Sequence, residues 1–183
     1  MDGKISNNQI KKVLISEEQI QKKVSELAAE INRDYAGKII HLVSILKGAT
    51  IFASDLMRKI EIPVTIDFIS VSSYGNTTES SGVVRIIKDL DHSIEGRDVL
   101  LVEDIVDTGL TLKYIQGILL ARKPQSLKTC VFLDKFERRK VDLKVDYTGF
   151  IIPNEFVVGY GLDFAEKYRN LSFLGILNED QYT

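Results

Sequence analysis

Apolar runs that each end in a polar or glycine-containing turn are the dominant pattern along this chain of 183 residues. Several of these runs have the length of buried strands, and they lie at 39–46, 64–71, 99–102 and 126–134. Nearly continuous apolar strands are typical of parallel sheets whose two faces are both covered. The pattern therefore predicts a central sheet of parallel strands.

Helical spacing of apolar residues marks the segments between these strands. The first helix is predicted to begin at a capping box formed by Ser16 and Gln19 and to end at Gly37, and further helices are predicted over 49–60 and 112–119. Since strands and helices alternate, the sequence predicts an α/β fold with a mostly parallel sheet. The sequence contains no internal repeat and no linker that would divide it.

The remaining segments are shorter or more polar. Small strands, some of them in an appended flap, are predicted at 83–87, 147–152, 156–160 and 171–177. Segment 72–82 is polar apart from Tyr74 and contains two glycines. Both a plain hairpin loop and a mobile lid fit such a segment.

Composition narrows the class of protein. The 24 Lys and Arg residues nearly balance the 26 Asp and Glu residues, which argues against a nucleic-acid binder that works by bulk charge. The single cysteine, Cys130, excludes an internal disulfide and a Cys-rich zinc site. Neither a signal peptide nor an apolar run of about 18 residues is present, so we expect a cytoplasmic protein that does not enter a membrane.

Three familiar kinds of site find little support. Gly159 and Gly161 lack the third glycine of a dinucleotide-binding motif because Phe164 occupies its position, and the chain has no P-loop. The two histidines, His41 and His92, lie in unrelated sequence contexts, so a histidine metal site or a Ser-His-Asp triad is not indicated. The basic cluster KFERRK at 135–140 is weak support for nucleic-acid binding, because such clusters are usually solvated surface.

Segment 99–111, VLLVEDIVDTGLT, carries the densest set of chemically useful residues. A buried strand is predicted to end at Glu103 and Asp104, with Asp107 and a glycine-containing turn leading into a helix. Carboxylates suit a metal ion, and the free N–H groups of a helix start suit a phosphate, so a site for a phosphorylated sugar is favoured over a solvated acidic loop. Because successive strand residues point to opposite faces, Glu103 and Asp104 can both face one ligand only where the strand is ending.

This motif resembles the phosphoribosyl-pyrophosphate (PRPP) motif of type I phosphoribosyltransferases, and the resemblance runs from about residue 13 to about residue 177. Four further pieces resemble the hypoxanthine-guanine members of that family: Leu46-Lys47-Gly48, the SSYG-containing loop, Asp134-Lys135, and 156–163. The implied fold is a central, mostly parallel sheet flanked by helices, with a small hood subdomain. The implied organisation is one domain over 1–183, with a mobile lid at 72–82 and a hood made of the N-terminal segment and roughly 135–177.

The resemblance also implies an activity. The 5-phosphoribosyl group of PRPP would be transferred to N9 of hypoxanthine or guanine, giving IMP or GMP and pyrophosphate with Mg²⁺ as the cofactor. The resemblance implies purine salvage by a homodimer or homotetramer, and we expect this cytoplasmic protein to bind neither nucleic acid nor membrane. Three alternatives stay open: a transferase for another base such as xanthine or uracil, an RNA-binding regulator on the same fold, and a non-catalytic nucleotide-binding module.

Roles for individual residues follow from the resemblance. Asp107 would be the general base near purine N7. Glu103 and Asp104 would hold the ribose hydroxyls and Mg²⁺, and Asp163 would serve a second Mg²⁺. The loop and helix start that cradle the 5′-phosphate would be Asp107, Thr108, Gly109, Leu110 and Thr111.

The remaining implied roles concern pyrophosphate, the purine and the lid. Lys47, Gly48 and Arg169 would bind pyrophosphate. Lys135 would donate to the purine O6, so that a 6-oxopurine is selected. Phe156 would stack on the purine ring, the backbone of Val157 would hydrogen-bond to its edge, and Asp163 would lie nearby. The lid would contain Ser73 and Tyr74.

Overall fold

The computed structural model describes residues 9–73, 84–178 and 180 of the chain. Within them the strands are β1 (Ile10–Ile15), β2 (Ile40–Leu46), β3 (Val64–Ser73), β4 (Val84–Lys88), β5 (Asp98–Val106), β6 (Ser126–Asp134), β7 (Tyr147–Ile151), β8 (Val157–Val158) and β9 (Leu174–Leu177). The helices are α1 (Glu17–Asp34), α2 (Thr50–Met57) and α3 (Leu110–Ala121), with a short 3₁₀ turn at Phe136–Arg138.

The main sheet has six strands in the order β4-β3-β2-β5-β6-β7. All neighbours pair in parallel except β3 and β4, which pair antiparallel. The segment 99–102 therefore lies in the first half of β5, which is longer than predicted and lies between β2 and β6. This arrangement confirms the predicted α/β class with a mostly parallel sheet, and it brings the ends of β2, β5 and β6 to one edge.

Helices cover both faces of the main sheet, so its central strands are buried. The apolar residues of α1 and α2 pack with one side of β2 and β5, whereas those of α3 pack against the other side, where Leu101 and Val131 lie. Helix α1 begins with the predicted capping box, in which Ser16 Oγ accepts from Gln19 N and Gln19 Oε1 accepts from Ser16 N.

A second sheet of three strands, in the order β1-β9-β8, forms the hood. Its strands pair antiparallel, and its apolar residues join the α1 and α2 side of the core. No strand was predicted at Ile10–Ile15. Pairing with β9, from the far end of the chain, makes this segment a strand. Two predicted hood strands, 156–160 and 171–177, are shorter in the structure, at Val157–Val158 and Leu174–Leu177.

The predicted lid falls mostly outside the described residues. Ser72 and Ser73 end β3, while Tyr74 and the rest of segment 72–82 lie outside the described ranges. Among the helices of the described part of the chain, none is long and apolar enough to cross a membrane.

Candidate active site

The loop from β5 to α3 surrounds a small cavity of about 110 Å³. Gly109 adopts φ +79° at the start of α3, a left-handed conformation that glycine tolerates best. The first helical residue, Leu110, is half-buried, and its N–H lies 3.5 Å from Thr108 Oγ1. The predicted phosphate residues that line this cavity are Asp107, Thr108, Gly109 and Thr111, and Glu103 lies beside them.

A larger cavity of about 260 Å³ adjoins the first. Asp107 and Ile105 line both, so the two cavities meet at the carboxyl end of β5. Phe164 meets the ring of Phe156 edge-on at 5.6 Å. The predicted purine residues are gathered here, since the lining includes Lys135, Phe156, Val157 and Asp163 together with Asp104.

Glu103 and Asp104 face different cavities, Glu103 the smaller and Asp104 the larger. Strand β5 continues to Val106, so the alternation of side chains still applies at this point. Burial raises the pKa of Glu103 well above its usual range, and the neighbouring Asp104 carboxylate adds to that shift. Burial also raises the pKa of Asp104, although the N–H of Ile105 donates to its Oδ1 at 2.8 Å.

Gly48 makes room for the Asp104 carboxylate. A Cβ atom at Gly48 would overlap Asp104 Oδ2, and one at Gly161 would overlap the carbonyl oxygen of Gly48. The turn after β2, the end of β5 and the hood segment that contains Gly161 are therefore in direct contact. The peptide bond between Leu46 and Lys47, just before Gly48, is cis.

The two predicted pyrophosphate cations share one acidic partner. Lys47 Nζ lies 3.2 Å from both carboxylate oxygens of Glu166, and Arg169 Nη2 lies 3.5 Å from Glu166 Oε2. The hydrogen bond from Lys47 lowers the pKa of Glu166. Arg169 also contacts Asp163 Oδ1 at 2.7 Å. Glu166 was not predicted, because its contact with Lys47 joins residues that are distant in sequence.

Asp107 meets a second residue that was not predicted. Arg138 Nε lies 2.5 Å from Asp107 Oδ1. Lys135 is half-buried nearby, where burial lowers the pKa of its amine and the Asp107 carboxylate acts in the opposite direction. The sequence marked 135–140 as a basic cluster, but its position beside Asp107 depends on the pairing of β5 with β6.

The acids predicted to hold Mg²⁺ do not form one protein-only metal site. In the ranges 9–73, 84–178 and 180 no group of three or more His, Cys, Asp or Glu residues could hold a metal ion. Mg²⁺ usually takes one or two carboxylates and completes its shell with water and substrate oxygens. Burial disfavours the ionised forms of Glu103 and Asp104, and a cation beside either carboxylate would compensate its charge, which fits that mode of binding.

Comparison with known proteins places these features in a family. The protein-family model of the phosphoribosyl transferase domain matches residues 14–165 of the sequence. The hypoxanthine-guanine phosphoribosyltransferase of Bacillus subtilis is 53% identical over 94% of this chain and 96% of its own length. The bifunctional protein TilS/HprT of Listeria monocytogenes is 51% identical over 97% of this chain, but the chain spans only 27% of that longer protein.

Solved structures agree with the sequence matches. The crystal structure of a hypoxanthine phosphoribosyltransferase from Staphylococcus aureus superposes with a TM-score of 0.95, at 49% identity over 100% of both chains. A hypoxanthine-guanine phosphoribosyltransferase from Bacillus anthracis, with HEPES in its active site, gives 0.90 at 55% identity over 93% of this chain and 100% of its own. The chain therefore belongs to the phosphoribosyltransferase family, within the group of the hypoxanthine-guanine phosphoribosyltransferases.

Proposed function

We propose that this chain transfers the 5-phosphoribosyl group of PRPP to N9 of hypoxanthine or guanine, giving IMP or GMP and pyrophosphate in purine salvage. The observation that carries the proposal is the pair of adjoining cavities that meet at Asp107. The smaller lies at a loop and helix start that suit a phosphate, and the larger is lined by an amine, an aromatic ring and carboxylates. A nucleotide has the same two parts, joined by its ribose.

In this proposal the 5′-phosphate takes the smaller cavity, where backbone N–H groups of 108–111 and the threonine hydroxyls bind its oxygens. The ribose lies between the cavities, next to Glu103 and Asp104. Pyrophosphate lies at Lys47, Gly48 and Arg169, where Lys47 and Arg169 already share the Glu166 carboxylate as a partner.

The purine takes the larger cavity. Lys135 donates a hydrogen bond to O6, which a 6-amino base would not accept. Phe156 stacks on the ring, and the edge-on contact with Phe164 supports its orientation. The backbone of Val157 pairs with β9, so the hydrogen-bonding edge that it offers to the purine is held by the hood sheet.

The bond changes balance within the substrates. The C1′–O bond to pyrophosphate breaks with its electron pair on the departing oxygen, the C1′–N9 bond forms, and Asp107 accepts the proton that the purine loses at N7. Positive charge that develops on the ribose resembles that of other glycosyl transfers. Lys47 and Arg169 stabilise the charge on the leaving pyrophosphate.

Glu103, Asp104 and Asp163 would hold Mg²⁺ together with substrate oxygens. When bound, the cation supplies positive charge for the pyrophosphate and the ribose hydroxyls. Arg169 contacts Asp163 at 2.7 Å, so this carboxylate is already beside the proposed pyrophosphate site. Loss of the cation is expected to raise the apparent KM for PRPP.

The organisation of the protein is part of the proposal. The chain would act as one domain with its lid at 72–82, in the cytoplasm, and as a homodimer or homotetramer. Sedimentation of the purified protein measures the number of subunits.

The activity is tested by incubating the protein with PRPP, Mg²⁺ and one base at a time, and measuring pyrophosphate release. The bases are hypoxanthine, guanine, xanthine, adenine and uracil. Rapid release with hypoxanthine or guanine and little with adenine or uracil supports the proposal. Release with xanthine or uracil alone would assign another base, and release with none would overturn the proposal.

A further inference from the structure

Within the basic cluster at 135–140 the proposed function assigns a role to Lys135 alone, and it leaves the contacts of the two arginines unexplained. The side chains of the cluster point to different parts of the site instead of forming one solvated surface. Lys135 lines the larger cavity. Arg139 donates to both oxygens of Asp134, at 3.1 and 2.6 Å, and to the carbonyl of Leu143. Arg138 is the residue of this cluster that forms an ion pair with Asp107.

Arg138 joins the loop after β5 to the turn before β8. Its Nε lies 2.5 Å from Asp107 Oδ1, and its Nη1 donates to Asn154 Oδ1 at 3.1 Å. The same segment contacts the loop a second time, because Lys140 N donates to Thr108 O at 2.9 Å. Arg138 thus connects the two parts of the proposed site, since Asn154 lies just before Phe156.

The pair of Arg138 and Asp107 is partly exposed, since the two side chains are 42% and 45% accessible, but one oxygen of the carboxylate is covered. Oδ1 is buried from solvent, and no group in the described ranges donates a well-directed hydrogen bond to it. The Arg138 guanidinium is the cation within ion-pair distance of this oxygen. A guanidinium is permanently charged, so this contact keeps a positive charge against one oxygen of the carboxylate at every pH of interest.

We propose that Arg138 is a positioning residue for Asp107. Resting on the proposed function of this site, the proposal is that the guanidinium holds one carboxylate oxygen and thereby presents the other to the purine N7. Asn154 binds the guanidinium from the hood side. The position of the general base Asp107 is therefore set relative to the purine that stacks on Phe156. Arg138 itself touches no reacting atom.

The test is a double-mutant cycle of Arg138→Ala and Asp107→Asn, measured as kcat and KM for hypoxanthine and PRPP. We expect Arg138→Ala to lower kcat by about ten- to a hundredfold, because a displaced base loses its productive geometry. The KM for PRPP and the melting temperature should change little. In the Asp107→Asn background the second substitution should cost almost nothing, because Arg138 acts through Asp107.

Two further variants separate positioning from a general structural role. Arg138→Lys keeps the charge and should restore part of kcat, whereas Arg138→Gln should not. Arg122→Ala is the matched control, since Arg122 is an arginine paired with an acid, Asp89 at 2.7 Å, away from the site, and its activity should equal that of the wild type.

The possible results distinguish a failure of the positioning role from a failure of the proposed function. An unchanged kcat in Arg138→Ala would overturn the positioning role. So would a loss of kcat in the Asp107→Asn background as large as the loss in the wild-type background. In both cases the activity of the wild type would leave the proposed function standing. Full activity of Asp107→Asn would also overturn it, because Asp107 would then not be the base. No pyrophosphate release by the wild type with any base would instead be a failure of the proposed function.

Discussion

Gly48 shows how one residue without a side chain shapes the candidate site. A Cβ atom there would overlap Asp104 Oδ2, so we expect Gly48→Ala to displace the Asp104 carboxylate from the end of β5. Overpacking of this kind costs about 1–3 kcal/mol of unfolding free energy, and the displaced carboxylate should lower kcat/KM for PRPP at least about tenfold. Thermal unfolding and steady-state kinetics measure the two effects.

Gly117→Ala is the matched control for that substitution. Gly117 lies within α3, and a Cβ atom there would have no neighbour within 4 Å. Alanine stabilises a helix interior by roughly 1 kcal/mol relative to glycine, so this variant should be slightly more stable and fully active. A loss of activity in both variants, or in neither, would contradict the specific role of the Gly48 contact.

Glu166 forms ion pairs with Lys47 and Arg169, the two cations that are proposed to bind pyrophosphate. Its carboxylate therefore competes with a phosphate group for them. We expect Glu166→Gln to lower the KM for PRPP by about two- to fivefold with little change in kcat, and the difference should shrink at high salt because the ion pairs are exposed. Glu26→Gln, which breaks the exposed pair with Lys23 on α1, is the control. A higher KM in Glu166→Gln would show that Glu166 assists binding instead.

At the scale of elements, Asp67 connects β3 to the loop that precedes β5. The residue is 2% exposed, and its carboxylate accepts from the backbone N–H groups of Phe68, Asp91 and His92. Burial raises its pKa, but these hydrogen bonds and Lys88 outweigh burial, so the net pKa is lowered. Folding therefore favours the ionised form, and this stabilisation is full above the usual carboxyl pKa and lost as the pH falls through the folded-state pKa.

Asp67→Asn should lower the unfolding free energy by about 2–4 kcal/mol at neutral pH, because an amide must place its NH₂ against one of the donors. The difference from the wild type should shrink as the pH is lowered. Thermal unfolding over a pH series measures it, with the half-exposed Asp89→Asn as a control that should cost about 0–1 kcal/mol. A constant difference at every pH would show that the charge of Asp67 is not responsible.

The elements also show what a sequence can predict. The strands of the parallel sheet and the three helices follow from apolar periodicity and caps, which are local properties. Strand β1 does not, because it depends on its pairing with β9 from the far end of the chain. The resemblance supplied the purine residues that line the larger cavity, whereas Glu166 and Arg138 required the fold, since their partners are distant in sequence.

The histidines illustrate the same limit. Their sequence contexts are unrelated, yet His41 Nε2 and His92 Nδ1 lie 4.0 and 3.9 Å from the same oxygen of Asp67. They meet because β2 pairs with β3 and the loop after β4 returns over Asp67. Nothing in the sequence predicts this proximity, and both histidines lie away from the residues of the candidate site.

At the scale of the molecule, the candidate site depends on the contact between the main sheet and the hood. The main sheet supplies the phosphate loop, the acids of β5 and Lys135, while the hood supplies Phe156, Val157 and Asp163. Tyr160 fastens the hood to α2, since its hydroxyl donates to Asp55 Oδ2 at 2.8 Å and its ring packs on Phe132. The larger cavity exists only because both parts contribute walls.

A crystal structure of the protein with IMP bound is the most direct test of the proposed site. We expect the phosphate in the smaller cavity, within hydrogen-bond distance of the N–H groups of 108–111, and the purine in the larger cavity with O6 beside Lys135 Nζ and the ring against Phe156. We also expect the Asp107 carboxylate near N7, with Arg138 still in contact. A nucleotide bound in the reverse orientation, or in the separate cavity lined by His41 and Arg97, would contradict the proposed site.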